Sequence, residues 1–256
     1  MGQQHIEEIR DQFTRQAVPF SASAEIRNQE GLNRIVDLAQ AGPMDTVLDV
    51  ACGPGLVACA FARVAKHVTG IDLTPEMLEQ ARALQRQLGL TNLTWHEGEV
   101  PPLPYLDASF SIVSTRFAFH HFLDPLAVLK EMRRVGRAGG RIVVVDSAPA
   151  RDKADAFNRM ERLRDPSHVR ALPPEELLGL FAAAGLPEPR VTYDAPPYEL
   201  ESFLARSFPR EGDADRIRQM FAESVENDML GVRAVYREGK IYFFMPLVVL
   251  VSSIQS

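Results

Sequence analysis

Five short apolar runs, TVLDVA, HVTGID, LTWHEG, SFSIVST and GGRIVVVD, recur between residues 46 and 146. Each has strand length, is rich in β-branched or aromatic residues and is bounded by turn-forming residues. Three stretches between them carry a helical period: LVACAFARVA, TPEMLEQARALQRQLG and DPLAVLKEMRRVG. In the second, Met77, Leu78, Ala81, Leu84 and Leu88 share one face; Thr74 stands at the cap, Pro75 at the first position and Gly89 at the stop. In the third, Asp124 is the cap, Pro125 comes first, and Leu126, Leu129, Met132 and Val135 face inward. Strand–helix alternation with short connections predicts an α/β fold with a parallel sheet covered on both faces.

The flanks follow other patterns. Residues 5–40 read as helical with mixed charge, and VPPLPYLDA as a proline-rich loop. After Asp146, helical segments predominate, with PRVTYDAP as a strand and IYFFMPLVVLVSSI as a core strand made irregular by Pro246. That last run falls short of the ~20 apolar residues a membrane-spanning helix needs. We expect one domain over 1–256: a helical segment at 1–40, a ligand-binding core at 41–150, cap elements at 151–240 and a final strand at 241–256.

A chain of 256 residues, 46% hydrophobic, is long enough for one sizeable core. Its net charge of -6, with no extended basic run, disfavours nucleic acid as the main partner. Cys52 and Cys59 lack metal-ligand spacing, as do the histidines and carboxylates, so no metal is expected and a reducing, cytoplasmic location is. MGQQHIEEIR has neither an apolar signal core nor a myristoylation pattern.

One residue breaks the first strand's pattern. Asp49 sits within VLDVACGPG, where a buried carboxylate costs several kcal/mol, to order of magnitude, unless something pairs with it. Gly53 and Gly55 follow at once, and Ala58 completes a G-x-G-x-x-A spacing. Such glycines let backbone approach a ligand, and the next helix turns its N-terminus toward it. Asp72 ends the second strand, where an acid can accept both hydroxyls of a ribose. A dinucleotide's pyrophosphate would repel Asp49. A ligand bearing an ammonium, such as S-adenosylmethionine, would be attracted to it, directly or through water.

VLDVACGPG, VTGIDLTPEML, EGEVPPLPYLDASFSIV, FHHFLDP and GGRIVVVD, in this order, resemble the successive motifs of class I S-adenosylmethionine-dependent methyltransferases, in their ubiquinone/menaquinone-biosynthesis-like branch. The resemblance spans about residues 10–185. It implies a Rossmann-like, seven-stranded, mostly parallel sheet with an antiparallel last strand, helices on both faces and a small helical cap. It also implies methyl transfer from S-adenosylmethionine, leaving S-adenosylhomocysteine. Asp49, Ala51, Gly53 and Gly55 would surround the methionine moiety and Asp72 the ribose. Leu73 and Met77 would cover the adenine, with Glu99 and Val100 at its edge. GRAGG replaces the family's usual proline-containing turn before the fifth strand.

The acceptor should lie beyond the carboxyl ends of the strands. Arg116 would reach the cofactor's carboxylate or the substrate. His120 and His121 follow it, and a histidine there can serve as base or as a structural brace. RLRDPSHVR concentrates Arg162, Arg164, Asp165, Ser167, His168 and Arg170. It is either a roof suited to an anionic or polar, enolate- or phenolate-like acceptor, or a solvated helix end. We expect His121 and His168 to act in catalysis and His120, Arg162, Asp165 and Arg170 to contact a small-molecule substrate, with C- or O-methylation favoured. Phe13 and Phe20 either close over the cofactor or pack on the sheet. Two rivals remain: an NAD(P)-linked oxidoreductase, which lacks a Tyr-x-x-x-Lys pair here and must explain Asp49, and a non-catalytic S-adenosylmethionine-binding protein. The sequence leaves the oligomeric state open.

Overall fold

A computed structural model of the chain describes residues 2–255, so the expected outer bounds 1 and 256 lie outside the described residues. The five apolar runs form β1 (Thr46–Val50), β2 (His67–Asp72), β3 (Leu93–Glu97), β4 (Phe110–Arg116) and β5 (Gly136–Ser147). With β6 (Arg190–Asp194) and β10 (Leu247–Ser253) they make a seven-stranded sheet of order β3-β2-β1-β4-β5-β10-β6. Neighbours from β3 to β5 pair parallel, and β10 runs antiparallel to both β5 and β6. The winding reverses between β1 and β4, which opens a cleft at their carboxyl ends.

Alternation along β1 feeds both faces. Val47 packs with α2 (Gln29–Leu38) and α3 (Leu56–Ala62), while Leu48 and Val50 pack with α5 (Pro125–Val135) and α7 (Pro174–Ala183). Burial on both faces explains why these strands read as continuous apolar runs. The α4 helix (Pro75–Gln87) buries Met77, Leu78, Ala81 and Leu84 as expected, but Leu88 falls at its C-cap and is exposed. Asp124 caps α5, accepting the Ala127 N–H at 2.9 Å. Thr74 makes no side-chain cap; the Asp72 carboxylate accepts the Thr74 N–H instead.

The run IYFFMPLVVLVSSI is two strands in two sheets. β9 (Lys240–Phe244) pairs antiparallel with β7 (Pro197–Glu199) and β8 (Val235–Arg237), and only β10 enters the main sheet. Pro246, which has no N–H to donate, marks the crossing; its carbonyl accepts the Ala148 N–H at 2.8 Å. The cap is therefore not purely helical. α6 (Ala154–Arg164), α8 (Leu200–Ala205) and α9 (Asp213–Asn227) share a core with this small sheet around Phe157, Phe203, Phe221 and Phe243. α1 (Gln3–Ala22) lies across the open end of the cleft.

Candidate active site

The turn after β1 is built from left-handed residues: Ala51 (φ 52°), Gly53 (φ 51°) and Gly55 (φ 75°). Its two glycines have different causes. A Cβ on Gly53 would meet nothing within 4 Å, and the Gly53 N–H donates to Asp72 Oδ2 at 2.7 Å. A Cβ on Gly55 would come within 2.6 Å of Trp95 and 2.8 Å of Ala81. Gly55 thus lets α3 and α4 close on Trp95, and it does not line the cleft as expected.

A cavity of about 910 Å³ fills the cleft. Eight expected cofactor residues line it: Asp49, Ala51, Gly53, Asp72, Leu73, Met77, Val100 and Arg116. Glu99 does not, because its side chain is exposed and Gly98 takes the lining position. Ile9, Phe13 and Phe20 of α1 cover the opening, so the two phenylalanines face the cavity rather than simply packing on the sheet.

Asp49 is 1% exposed. Its Oδ1 accepts the Ser114 hydroxyl at 2.9 Å, whereas Oδ2 has no hydrogen-bond partner. Burial pushes this carboxyl up to about 7, against the opposing pull of Ser114, the Ala58 amide and Arg116. Arg116 donates to the Ile26 carbonyl at 3.3 Å and lies 4.3 Å above the Phe117 ring. It has no carboxylate within 4 Å among the described residues. One carboxylate oxygen without a hydrogen-bond partner and one guanidinium without a carboxylate partner thus face the same cavity, which fits a ligand carrying both an ammonium and a carboxylate. Asp72 is almost wholly buried where it lines the cleft: its oxygens hold the Gly53 and Thr74 amides, and burial raises its pKa against those bonds.

A second cavity of about 580 Å³ joins the first, with Phe13, Phe20, Ile26, Phe117 and His121 lining both. Phe117 is left-handed (φ 58°), a conformation rare for a bulky residue, and turns the chain at the end of β4. His121 Nδ1 meets the Ser167 carbonyl at 3.0 Å and the Ser167 hydroxyl at 3.2 Å. A carbonyl only accepts, so Nδ1 carries the proton and Nε2 keeps its lone pair. Burial, then the charge of His120, lowers His121 to about 4. His120 Nδ1 lies 2.5 Å from Asp146 Oδ1; burial alone would lower its pKa, but the carboxylate holds it above the ordinary value. Asp165 lines the same cavity, and its Oδ1 accepts the Ser167 N–H (2.9 Å) and hydroxyl (2.6 Å).

Three expected site residues lie elsewhere. His168 lines neither cavity: its Nε2 donates to Asn158 Oδ1 at 2.7 Å within the cap core, and burial holds its pKa far below the ordinary value. Arg162 is exposed and, among the described residues, reaches the Val169 carbonyl alone, at 3.4 Å. Arg170 is exposed and holds Glu176 through two bonds of 2.7 and 2.9 Å. Arg164 of the expected roof walls the second cavity, as do Glu161, Tyr198, Phe203 and Arg206, which were not expected there. Only the Glu161–Arg164 spacing, i and i+3 on one helix, offered a local signal.

An open α/β sheet with a ligand cavity at its switch point defines a cofactor-binding enzyme of Rossmann-like architecture. A family described as "Methyltransferase domain" matches residues 48–144. An uncharacterized methyltransferase of Bacillus subtilis, YcgJ, is 33% identical over 211 residues, which cover 79% of this chain and 82% of that protein. Its crystal structure superposes with a TM-score of 0.80 at 26% identity, over 89% of this chain and 99% of that one. A demethylmenaquinone methyltransferase of Chlorobaculum parvum is 32% identical over 158 residues, covering 61% of this chain and 58% of that protein. The chain belongs to the class I S-adenosylmethionine-dependent methyltransferases, and its cofactor is S-adenosylmethionine. Nothing in these relationships supports the oxidoreductase or the non-catalytic alternative.

Proposed function

We propose that this enzyme methylates a small molecule held in the second cavity, at carbon or oxygen, and that it works in the cytoplasm. The observation that carries this is the union of two cavities at His121: one has uncommitted charges of both signs, the other is walled by aromatic rings. In the first, Asp49 Oδ2 would take the ammonium and Arg116 the carboxylate of the cofactor. Asp72 would keep the glycine turn in place and accept from the ribose with its remaining lone pairs, and Leu73, Met77 and Val100 would sandwich the adenine. The bound cofactor supplies an electrophilic methyl group on a sulfonium. The chain's own task is then to align a nucleophile and manage its proton. The neutral His121 ring, held through Nδ1 by Ser167, would accept that proton on Nε2, while the His120–Asp146 pair fixes the turn that carries it. Phe13 packs edge-on to His121 with centroids 5.0 Å apart, so α1 helps set the ring's orientation and excludes water.

Calorimetry and labelled methyl transfer test this together. S-Adenosylmethionine and S-adenosylhomocysteine should bind and NAD should not, and an extract of small metabolites should take up label from the methyl-labelled cofactor. Label appearing only in macromolecules would overturn the small-molecule assignment.

A further inference from the structure

Five buried side-chain polar atoms have no hydrogen-bond partner among the described residues: Asp49 Oδ2, Thr115 Oγ1, Arg141 Nε, Glu161 Oε1 and His168 Nδ1. Of their residues, only Asp49 and Glu161 line the two joined cavities, and both unpaired atoms are carboxylate oxygens. An unpaired buried acceptor is costly, and native proteins rarely leave one without a purpose. Asp49 is accounted for by the cofactor's ammonium. Glu161 is 4% exposed, and its Oε2 already takes both bonds from Arg164, at 2.9 and 2.6 Å. Oε1 therefore calls for a donor from something that enters the second cavity.

The other charges of that cavity narrow what enters. Arg164 is matched by Glu161 and Ser207 Oγ (3.1 Å), and Arg206 by Glu25 (3.2 Å) and Ser23 Oγ (3.1 Å). Both guanidinium groups also lie over the Phe203 ring, at 4.7 and 5.3 Å. His120 is matched by Asp146, and Asp165 by Ser167 and Gln16. Each cation in the wall already has its counter-charge, so an anionic acceptor would find no partner. Of the two kinds of acceptor expected from RLRDPSHVR, anionic or polar, this favours the polar one. The remaining wall is ring surface: Phe13, Phe20, Phe117, Tyr198 and Phe203.

We infer that Glu161 is a specificity-determining residue whose Oε1 accepts a hydrogen bond from an N–H or O–H of the methyl acceptor, an uncharged molecule with a flat apolar body. This rests on the assignment of the second cavity to the acceptor.

The test uses full-length protein saturated with S-adenosylhomocysteine and three matched probes: indole, 1-methylindole and indole-2-carboxylate. Indole alone offers the N–H without a charge. A hydrogen bond to a charged group implies a preference of about tenfold or more for indole over either relative. Glu161→Gln keeps the shape but removes the carboxylate, and should bring indole and 1-methylindole within about twofold of each other, with S-adenosylhomocysteine affinity unchanged. Equal or tighter binding of the methylated or carboxylated probe, no binding of any probe, or a preference that survives Glu161→Gln overturns the inference. If the variant loses S-adenosylhomocysteine, the wild-type ratios alone decide. Failure of wild type to bind S-adenosylhomocysteine would instead sink the cofactor assignment beneath it.

Discussion

Replacing Asp49 with asparagine separates what burial costs the carboxyl from what its charge does. The carboxyl titrates near 7 in the folded protein against 3.8 as the ordinary value, so its folded pKa is raised. For an acid this means that the folded state holds a proton the unfolded state has released, and stability falls as pH rises through that window. Between pH 5 and 8 the loss integrates to roughly 2–3 kcal/mol at about 1.4 kcal/mol per pH unit. Asparagine carries no such dependence. Its carbonyl can still accept the Ser114 hydroxyl, but its amide nitrogen replaces the unpartnered Oδ2, at a pH-independent cost of about 1–3 kcal/mol. Asp49→Asn without cofactor should therefore be less stable than wild type at pH 5, and should match or exceed it at pH 8. Urea denaturation at the two pH values reads the difference directly. The variant should also lose S-adenosylmethionine affinity, and wild type should release close to one proton on binding the cofactor at pH 6. A stability difference that stays constant from pH 5 to 8, with no proton release, would refute titration of Asp49 in this range.

Further outcomes follow from the same geometry. At saturating cofactor, kcat of wild type should be flat from pH 6 to 8 and decline only as pH falls toward about 4, where His121 gains a proton; His121→Asn should remove that limb and cost about 10²–10⁴ in kcat, and a limb near 6.5 would contradict the lowering of His121 by burial and the charge of His120. Asp72→Asn turns an amide N–H donor against the Gly53 or Thr74 N–H, so it should lower stability by about 1–3 kcal/mol as well as weakening cofactor binding; an unchanged melting curve would show that the turn holds itself. Arg170→Ala and Arg162→Ala should leave kcat/KM unchanged and shift stability by less than about 0.5 kcal/mol, since both side chains are exposed. A tenfold loss of kcat/KM in either would return them to the acceptor site.

The sheet and the cofactor end of the cleft were legible in the sequence because their causes are local. A strand that must be apolar on both faces, a turn that must be left-handed and an acid that must reach the next turn all write themselves within a few residues, as at Asp49, Gly53 and Asp72. The second cavity was less legible because its walls come from residues far apart in the chain: Phe13 and Gln16, Phe117, Glu161 and Arg164, then Tyr198 to Arg206. Of the residues crowded into RLRDPSHVR, Arg164 and Asp165 line the second cavity, while Arg162, His168 and Arg170 do not. Arg162 and Arg164 are about 200° apart around a helix, so the turn that buries Arg164 against Glu161 must expose Arg162. His168 is buried, but its Nε2 is bonded to Asn158 within the cap core. The split of IYFFMPLVVLVSSI was marked by Pro246, yet nothing local says that the residues before a proline belong to another sheet.

The two cavities differ most in how far their charges are already spent. Around the glycine turn, Asp49 and Arg116 stay unmatched at close range, and the fold bears the cost of keeping them so. On the proposed assignment, a zwitterionic end group would repay that cost on binding, and affinity for the cofactor would depend on both its charges. Across His121 the guanidinium groups and carboxylates are paired before any ligand arrives, apart from one oxygen of Glu161. A ligand there cannot gain an ion pair without breaking one, and a broken buried pair costs about 3–5 kcal/mol. If the acceptor binds there as proposed, its selection would come from shape, ring contact and a single donated hydrogen bond. The junction residue His121 is kept neutral first by its burial and then by the positive charge held one residue earlier, on His120 against Asp146, which together keep a second proton off the ring.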